Sequence, residues 1–370
     1  MTINIKKDLL KDKLQFSNLF TKSSLIQPSL GNILFVFEPT KLNIYSSNLS
    51  SFYTTSIDIK SDLKEKKEVV FDPKKLIEIL SFVQDDQVSF SIDEKFLSFK
   101  SKNVKAKFPI SSNNQYPYPS KIEKTLTFDT KTIVPAIESV LFSSANDDTK
   151  PVLTGINFVK HEDKLLIAST DGFRLSVFTA DDLDFSDFVD DSIVLPSDFL
   201  SIVLRRIKEK KQVKLGFDSK EKLFYFGVEE DSFYTRIIDE EFPAFLQVIP
   251  ENFNLFIEVD KDSFIKNIKI ASVFAKDFSN IVVFDVSDKG FNIYPRSDES
   301  EGEGEVFQSA KVKGESLKIA FNFKYVLDFL NNTKGDIVQI NIVSAQAPAL
   351  FKIKEDKNFI HIIMPVKISV

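Results

Sequence analysis

What most limits the folds open to this chain is a pattern that occurs three times. "FDPKKLIEILSFVQDDQVSFSI" from Phe71, "VLPSDFLSIVLRRIKEKKQVKLGF" from Val194 and "AFNFKYVLDFLNNTKGDIVQINI" from Ala320 each run as short strand, apolar helix, polar turn and alternating strand. Pro73 and Pro196 open the first two helices, where a missing amide hydrogen costs nothing, and Asn322 offers a capping side chain to the third. Leu76, Phe199 and Tyr325 hold equivalent places, and the trailing strands begin at Gln87, Gln212 and Ile337, 125 residues apart each time.

A second triplet precedes these, "INIKKDLLKDKL" from Ile3, "LTFDTKTIVPAIESVL" from Leu126 and "FIEVDKDSFIKNIKIASVFA" from Phe256, again strand then helix. Paired strands follow each: "GNILFVFEPTKLNIYSSN", "TGINFVKHEDKLLIASTD" and "NIVVFDVSDKGFNIYPRSD". The unit is therefore strand, helix and several strands, done twice, and the chain is α+β. Three similar domains are expected at 1–122, 123–252 and 253–370, each with two helices packed on antiparallel sheets. The proline-bearing stretches "NNQYPYPSKIEK" and "FPAFLQVIPENFN" fall where the linkers belong. Helices are predicted over 4–21, 73–84, 129–146, 196–211, 260–277 and 322–335.

Composition narrows the chemistry. With 370 residues the chain exceeds one ordinary core. No apolar run approaches the roughly 18 residues of a membrane span, and "MTINIKKDLLKDKLQF" has no signal-peptide apolar region, so a cytoplasmic protein is expected. Without cysteine there is no disulfide, no thiolate metal site and no Cys nucleophile. The two histidines, His161 in a polar turn and His361 between Ile360 and Ile362 in a strand pattern, advertise no triad or zinc partners. No catalytic residue, metal or cofactor is expected. A metal-dependent hydrolase is the rival from another class, but "DDLDFSDF" lacks the Gly and terminal Glu of a calcium loop, and no phosphate loop occurs.

Charge is sorted unevenly. The six predicted helices carry a net +7 and the remainder −13, in a chain of net charge −6. In the fourth helix Phe199, Leu200, Val203, Leu204 and Ile207 form one stripe, with Ser201, Arg205 and Lys208 opposite. In the fifth, Phe264, Ile268, Ala271 and Ala275 face the core while Lys266, Lys269 and Lys276 point away. Helix-surface lysines ordinarily mean a solvated face. An acidic remainder that includes "DDLDFSDFVDD" from Asp181 favours instead a polyanion held by the helices. Val273 and Phe274 lie off the core stripe, and two readings are open: a subunit contact, or burial under a neighbouring loop.

"PVLTGINF", "LLIASTDGFRLS", "FPAFLQVIP", "FNFKYVLDFL" and "IIMPVKI", in this order and spacing, resemble the bacterial DNA polymerase III β subunits, the sliding clamps, with "QPSLGNILF" a weaker match in the first third. The resemblance implies the DNA-clamp fold, two chains closing head to tail into a ring, helices lining the hole and sheets outside. It implies a processivity factor that does no bond chemistry. Its partners would be double-stranded DNA without sequence preference, the DNA polymerase III catalytic subunit, the clamp loader, other proteins with a clamp-binding motif, and a second copy of itself.

By match, a partner-peptide cleft is lined by Leu153, Thr170, Gly172, Arg174, Leu175, Pro243, Val248, Tyr325, Pro348, Ile362, Met364, Pro365 and Val366. Apolar walls suit Leu and Phe side chains of a peptide, Met364 adapts, and Gly172 admits a backbone closely. Phe108 and Ile110 match the family's apolar ring contact, with Val273 and Phe274 opposite. The sequence departs from the family at Phe173, where a polar residue often stands, at Gln247 and Ser24, where Arg often stands, and at Asp147 and Asp148 beside Lys150. DNA-facing groups are therefore placed on Arg205, Lys208, Lys266 and Lys269, with Lys150. A clamp-fold scaffold that binds peptides without encircling DNA is the second alternative.

Overall fold

A computed structural model describes residues 2–21, 31–111, 116–147, 149–162, 164–181, 183, 185, 192–275, 280–296 and 304–367. Ser24, Asp148, Lys276 and most of the acidic run after Asp181 lie outside the described residues. Among those described there are six α-helices: α1 (Lys7–Leu19), α2 (Lys74–Phe82), α3 (Thr130–Leu141), α4 (Ser197–Ile207), α5 (Lys261–Ala275) and α6 (Phe323–Asn332). All six predicted helices are present, each shorter than its predicted span. Residues 3–6 alternate buried and exposed and form a strand, so α1 starts three residues later than predicted. The Asn322 side chain caps α6 by accepting from the Lys324 amide at 3.0 Å.

The chain forms two compact units, residues 1–131 with 199–237, and 132–198 with 238–370. In the first, a five-stranded sheet has the order Lys60–Ser61, Ile3–Lys6, Gln87–Ile92, Phe96–Lys100, Lys105–Pro109. Its eight-stranded sheet runs Thr125–Asp129, Gln212–Asp218, Leu223–Val228, Asp231–Arg236, Ser51–Asp58, Lys41–Ser47, Ile33–Phe37, Lys67–Phe71. The second unit has a nine-stranded sheet in the order Ser192–Pro196, Gly155–His161, Lys164–Thr170, Arg174–Ala180, Phe359–Ile363, Ala349–Ile353, Ile337–Ile342, Leu255–Asp260, Lys311–Gly314. Beside it stands a four-stranded sheet of Val306–Ser309, Gly290–Pro295, Ile281–Ser287 and Lys318–Asn322.

The trailing strands start at Gln87, Gln212 and Ile337, as the repeat predicts. Two sheets join one repeat to the next. Ser51–Asp58 pairs with Asp231–Arg236 in the first unit, and Arg174–Ala180 pairs with Phe359–Ile363 in the second. These are equivalent seams, because in both cases the third strand after the first helix of one repeat meets the last strand of the next.

The proline-bearing stretches are packed rather than free. Tyr116 donates its hydroxyl to the carbonyls of Asn32 and Tyr45, Tyr118 stacks edge-on to Tyr45 with centroids 5.1 Å apart, and Ile122 lies over Gly216. Phe242 and Phe245 of the other stretch are buried.

Core stripes form as the periodicity requires. Phe199, Leu200, Val203, Leu204 and Ile207 of α4 are buried, as are Phe264, Ile268, Ala271 and Ala275 of α5. Phe108 departs from expectation: it is 5 % exposed, packed on Phe71 in the core of the first unit, and Ile110 is half-buried against the same core. Strand alternation explains it, since Lys105, Lys107 and Pro109 take the outer face and leave Phe108 the inner one.

The first unit also buries a charged cluster. The Asp231 carboxylate accepts from Lys13 Nζ at 2.7 Å, Tyr53 Oη at 2.7 Å, Thr55 Oγ1 at 2.6 Å and Arg206 Nε, while Arg206 also pairs with Asp12 and lies 4.5 Å from the centroid of Phe16. Burial pushes the Asp231 carboxyl up, but the hydrogen bonds from Lys13, Thr55 and Arg206 outweigh it and hold the group below the usual range.

Candidate functional site

The site begins with a turn. Between Lys164–Thr170 and Arg174–Ala180, Asp171 Oδ1 accepts the amides of Phe173 at 2.9 Å and Arg174 at 3.0 Å, and Thr170 Oγ1 accepts that of Gly172 at 3.0 Å. Gly172 sits at φ +91° with open space where a side chain would begin. The turn is tied to the C-terminal segment by the Met364 amide, which donates to the Phe173 carbonyl at 2.9 Å.

Arg174 holds the turn from below. It is 7 % exposed, its Nε donates to Asp171 at 3.0 Å, and its Nη1 pairs with Asp328 of α6. The guanidinium lies 4.7 Å from the ring centroid of Tyr325 and 5.8 Å from that of Phe142. Its charge is thus neutralised inside the wall. Deeper still, His361 Nδ1 meets Ser176 Oγ at 2.9 Å, and Ser176 meets Ser143 at 2.7 Å. The imidazole stacks on Phe329 and its Nε2 has no partner among the described residues. Burial, helped by the Arg174 charge, pushes its pKa down to about 3, so His361 is neutral.

Beside this turn lies an apolar floor. Leu153, Leu175 and Ile362 share one buried cluster with Phe242, Phe245 and Leu350, and the pairings Leu175 with Ile362 and Ile362 with Leu350 set three of these side by side. Pro243 and Val248 ride on the tight turn whose Phe245 enters that cluster, and Pro348 directly precedes the strand that carries Leu350. Val366 does not join them: it packs with Ile281, Val283, Ala320 and Tyr294. Pro365, between Met364 and Val366, is half-buried.

Sequence reasoning missed Asp328, Phe142 and the inward turn of His361. Asp328 stands three residues after Tyr325 on one helix face, a spacing that points both at the same neighbour.

The basic residues expected to face DNA are all exposed: Arg205 on α4 and Lys208 in the turn just after it, Lys266 and Lys269 on α5, and Lys150 ahead of the tight turn Pro151–Thr154. None is in a salt bridge with a described residue. The neighbouring Arg206, by contrast, is turned into the Asp231 cluster. On α5, Ile270, Val273 and Phe274 are exposed, with the Phe274 ring against Gly304, and Phe307 of the edge strand Val306–Ser309 is exposed as well. Among the described residues of the first unit the most exposed large apolar side chain is Phe82, at 79 %. No helix among the described residues is long and apolar enough to cross a membrane, and no described group of His, Cys, Asp or Glu could hold a metal.

Models of the three domains of one family match in sequence: the DNA polymerase III beta subunit N-terminal domain over residues 1–121, the central domain over 127–244 and the C-terminal domain over 246–367. The chain belongs to this family. Among curated relatives, a beta sliding clamp of Synechocystis sp. is 23 % identical over 366 residues, covering 92 % of this chain and 93 % of that protein. One from Staphylococcus aureus is 24 % identical over 312 residues, covering 83 % and 81 %. The crystal structure of the DNA polymerase sliding clamp from Bacillus subtilis superposes with a TM-score of 0.91 at 22 % identity, and the β subunit from Thermotoga maritima with 0.88 at 19 %, each over the full length of both chains. The α+β architecture of this β-subunit chain is therefore the three-domain sliding-clamp fold.

Proposed function

We propose that the chain is the processivity factor of DNA replication: a ring of two copies, each with domains at 1–122, 123–252 and 253–370, that encircles duplex DNA and tethers partners through the cleft. The observation that carries this is a set of exposed basic side chains without a salt bridge among the described residues, on or next to helices of an acidic chain: Arg205, Lys208, Lys266 and Lys269, with Lys150. Such groups hold phosphates through screened attraction without reading bases, so the ring slides; closure, not affinity, prevents loss. The protein does no bond chemistry and works in the cytoplasm.

Self-association is supported by two sheet edges, Lys105–Pro109 and Val306–Ser309, whose outer sides pair with no strand among the described residues. Apolar side chains accompany them: Ile110 next to the first, and Val273, Phe274 and Phe307 in the second unit. Phe108, being core, supports the first edge from behind. The lysines at 105 and 107 are opposite in sign to the run "DESEGEGE" that precedes Val306 in the sequence. The cleft serves the polymerase catalytic subunit, the clamp loader and other proteins that carry an apolar peptide.

The test is solution mass followed by retention on DNA. A dimer of the 42.2 kDa chain that stays on nicked circular DNA and runs off the linear form is the expected result. A persistent monomer that binds peptide but is not retained on circles would overturn the ring and leave a peptide-binding scaffold.

A further inference from the structure

The molecule builds the cleft turn twice and gives it different side chains. In the first repeat, Asn48 Oδ1 accepts the amides of Ser50 at 3.1 Å and Ser51 at 2.7 Å, and Ser47 Oγ accepts that of Leu49 at 2.9 Å. Leu49 sits at φ 75°, and the Arg236 amide donates to the Ser50 carbonyl at 2.8 Å. In these four hydrogen bonds this is the turn Thr170-Asp171-Gly172-Phe173-Arg174, with Arg236 in the place of Met364. The position of Phe173 is held by Ser50 in the copy, so the fold has no need of an aromatic ring there.

Phe173 is nevertheless 63 % exposed, on a backbone pinned at its amide by Asp171 and at its carbonyl by Met364. Met364, opposite it, is 36 % exposed, and Leu246 and Val248 on the neighbouring turn are 40 % and 42 % exposed. Directly opposed residues bring their Cβ atoms to about 4.5–5.5 Å. Phe173 and Met364 therefore form one presented surface of ring and thioether, at the lip of the floor made by Leu175 and Ile362. Arg174, the cation of this turn, is neutralised by Asp171 and Asp328, and position 247 is a neutral Gln. Glu240 and Glu241, just ahead of Phe242, are exposed.

We infer that Phe173, with Met364, sets which peptide the cleft prefers: one that carries an aromatic residue beside its Leu-Phe pair, in preference to an acidic one. This rests on the cleft reading above. An aromatic side chain meets a preorganised ring and a polarisable sulfur, whereas a carboxylate meets apolar surface and other carboxylates.

Synthetic peptides that share a Leu-Phe core and carry Trp or Asp at each flanking position in turn test this by calorimetry against the full chain, Phe173→Ala and Phe173→Trp. At one flanking position the Trp peptide should bind about tenfold more tightly than its Asp counterpart. Phe173→Ala should remove that preference while leaving the Asp peptides unchanged, and Phe173→Trp should retain it. Because Phe173 is exposed, its removal leaves folding intact, which thermal unfolding verifies. If the peptides bind but Phe173→Ala weakens all of them equally or none, the inference fails and the cleft stands. If no peptide binds the unaltered chain, or if Val248→Glu leaves binding untouched, the cleft reading itself fails.

Discussion

The two seams of this molecule use one backbone design for different ends. Where Ser51–Asp58 meets Asp231–Arg236, the turn Ser47 to Ser51 is polar except for Leu49, and the interior is closed by Tyr53, Phe233 and the Asp231 cluster. Where Arg174–Ala180 meets Phe359–Ile363, Ser176 and His361 occupy the places of Tyr53 and Phe233, and Arg174 replaces Ser51. One seam puts its charges beneath the helices as a lock; the other puts them beneath the turn, so that the turn is stiff enough to present side chains. A repeated framework thus separates what the fold needs from what a binding surface adds.

Removing the acceptor at each lock breaks this comparison most severely. Asp231→Ala leaves Lys13, whose side chain is 8 % exposed, and the hydroxyls of Tyr53 and Thr55 without their acceptor. Urea unfolding should show a loss of about 3–5 kcal/mol from the first unit. Arg174→Ala strips Asp171 and Asp328 of their partner and Tyr325 of its stacked cation, but Asp328 is 44 % exposed and regains water. About 2–3 kcal/mol is expected there, with the second unit affected. Equal losses in the two would mean that the Arg174 cluster is as dry as that of Asp231.

Acid separates the seams by pH. His361 has its pKa lowered to about 3 from an ordinary 6.5, so the neutral ring's contribution is complete above pH 6.5 and is lost as pH falls toward 3. The slope of that loss approaches about 1.4 kcal/mol per pH unit. Asp231 is lowered from 3.8, so its contribution is complete above that value and is lost only below it. Hydrogen exchange between pH 6.5 and 4 should therefore show the His361 strand losing protection before the Asp231 strand. His361→Phe, which copies Phe233 of the other seam, should flatten the dependence in this window.

How much of this was legible follows from how local each signal is. Strand starts at Gln87, Gln212 and Ile337 and the stripes of α4 and α5 obey a period that a short window displays. The same period in "KAKFPI" turns Phe108 inward, so its burial in the first unit was legible from alternation. Asp231 and Lys13 lie 218 residues apart, and Arg174 and Asp328 lie 154 apart. No local pattern announces such pairs, because a charged residue on a helix reads as solvated until its partner arrives from another repeat. The cleft residues were found by resemblance to the family. The equivalence of Ser47–Ser51 with Thr170–Arg174 became visible only through the hydrogen bonds that both turns make.

Smaller changes sharpen the comparison at the turn residue itself. Leu49 and Gly172 share a left-handed conformation, φ 75° and +91°, that suits glycine and strains a branched side chain. Leu49→Gly should stabilise the first unit by about 0.5–1 kcal/mol in thermal unfolding, the gain from relieved strain being partly offset by the freedom of glycine in the unfolded chain. Gly172→Ala should cost the second unit a similar amount, about 1 kcal/mol, and wholly through the backbone, since nothing lies within 4 Å of the added carbon.

The smallest effect is the most telling. If Ser50 and Phe173 occupy one position in one turn, exchanging their identities should leave the fold nearly indifferent, because both side chains point to solvent from backbones pinned by the same bonds. Ser50→Phe and Phe173→Ser should each change stability by no more than about 0.5 kcal/mol in urea titrations. Should Phe173→Ser cost about 2 kcal/mol or more, the ring would be a packing element despite its exposure, and its place at the lip would follow from the core rather than from a partner. Near-indifference leaves its retention to be explained by what binds there.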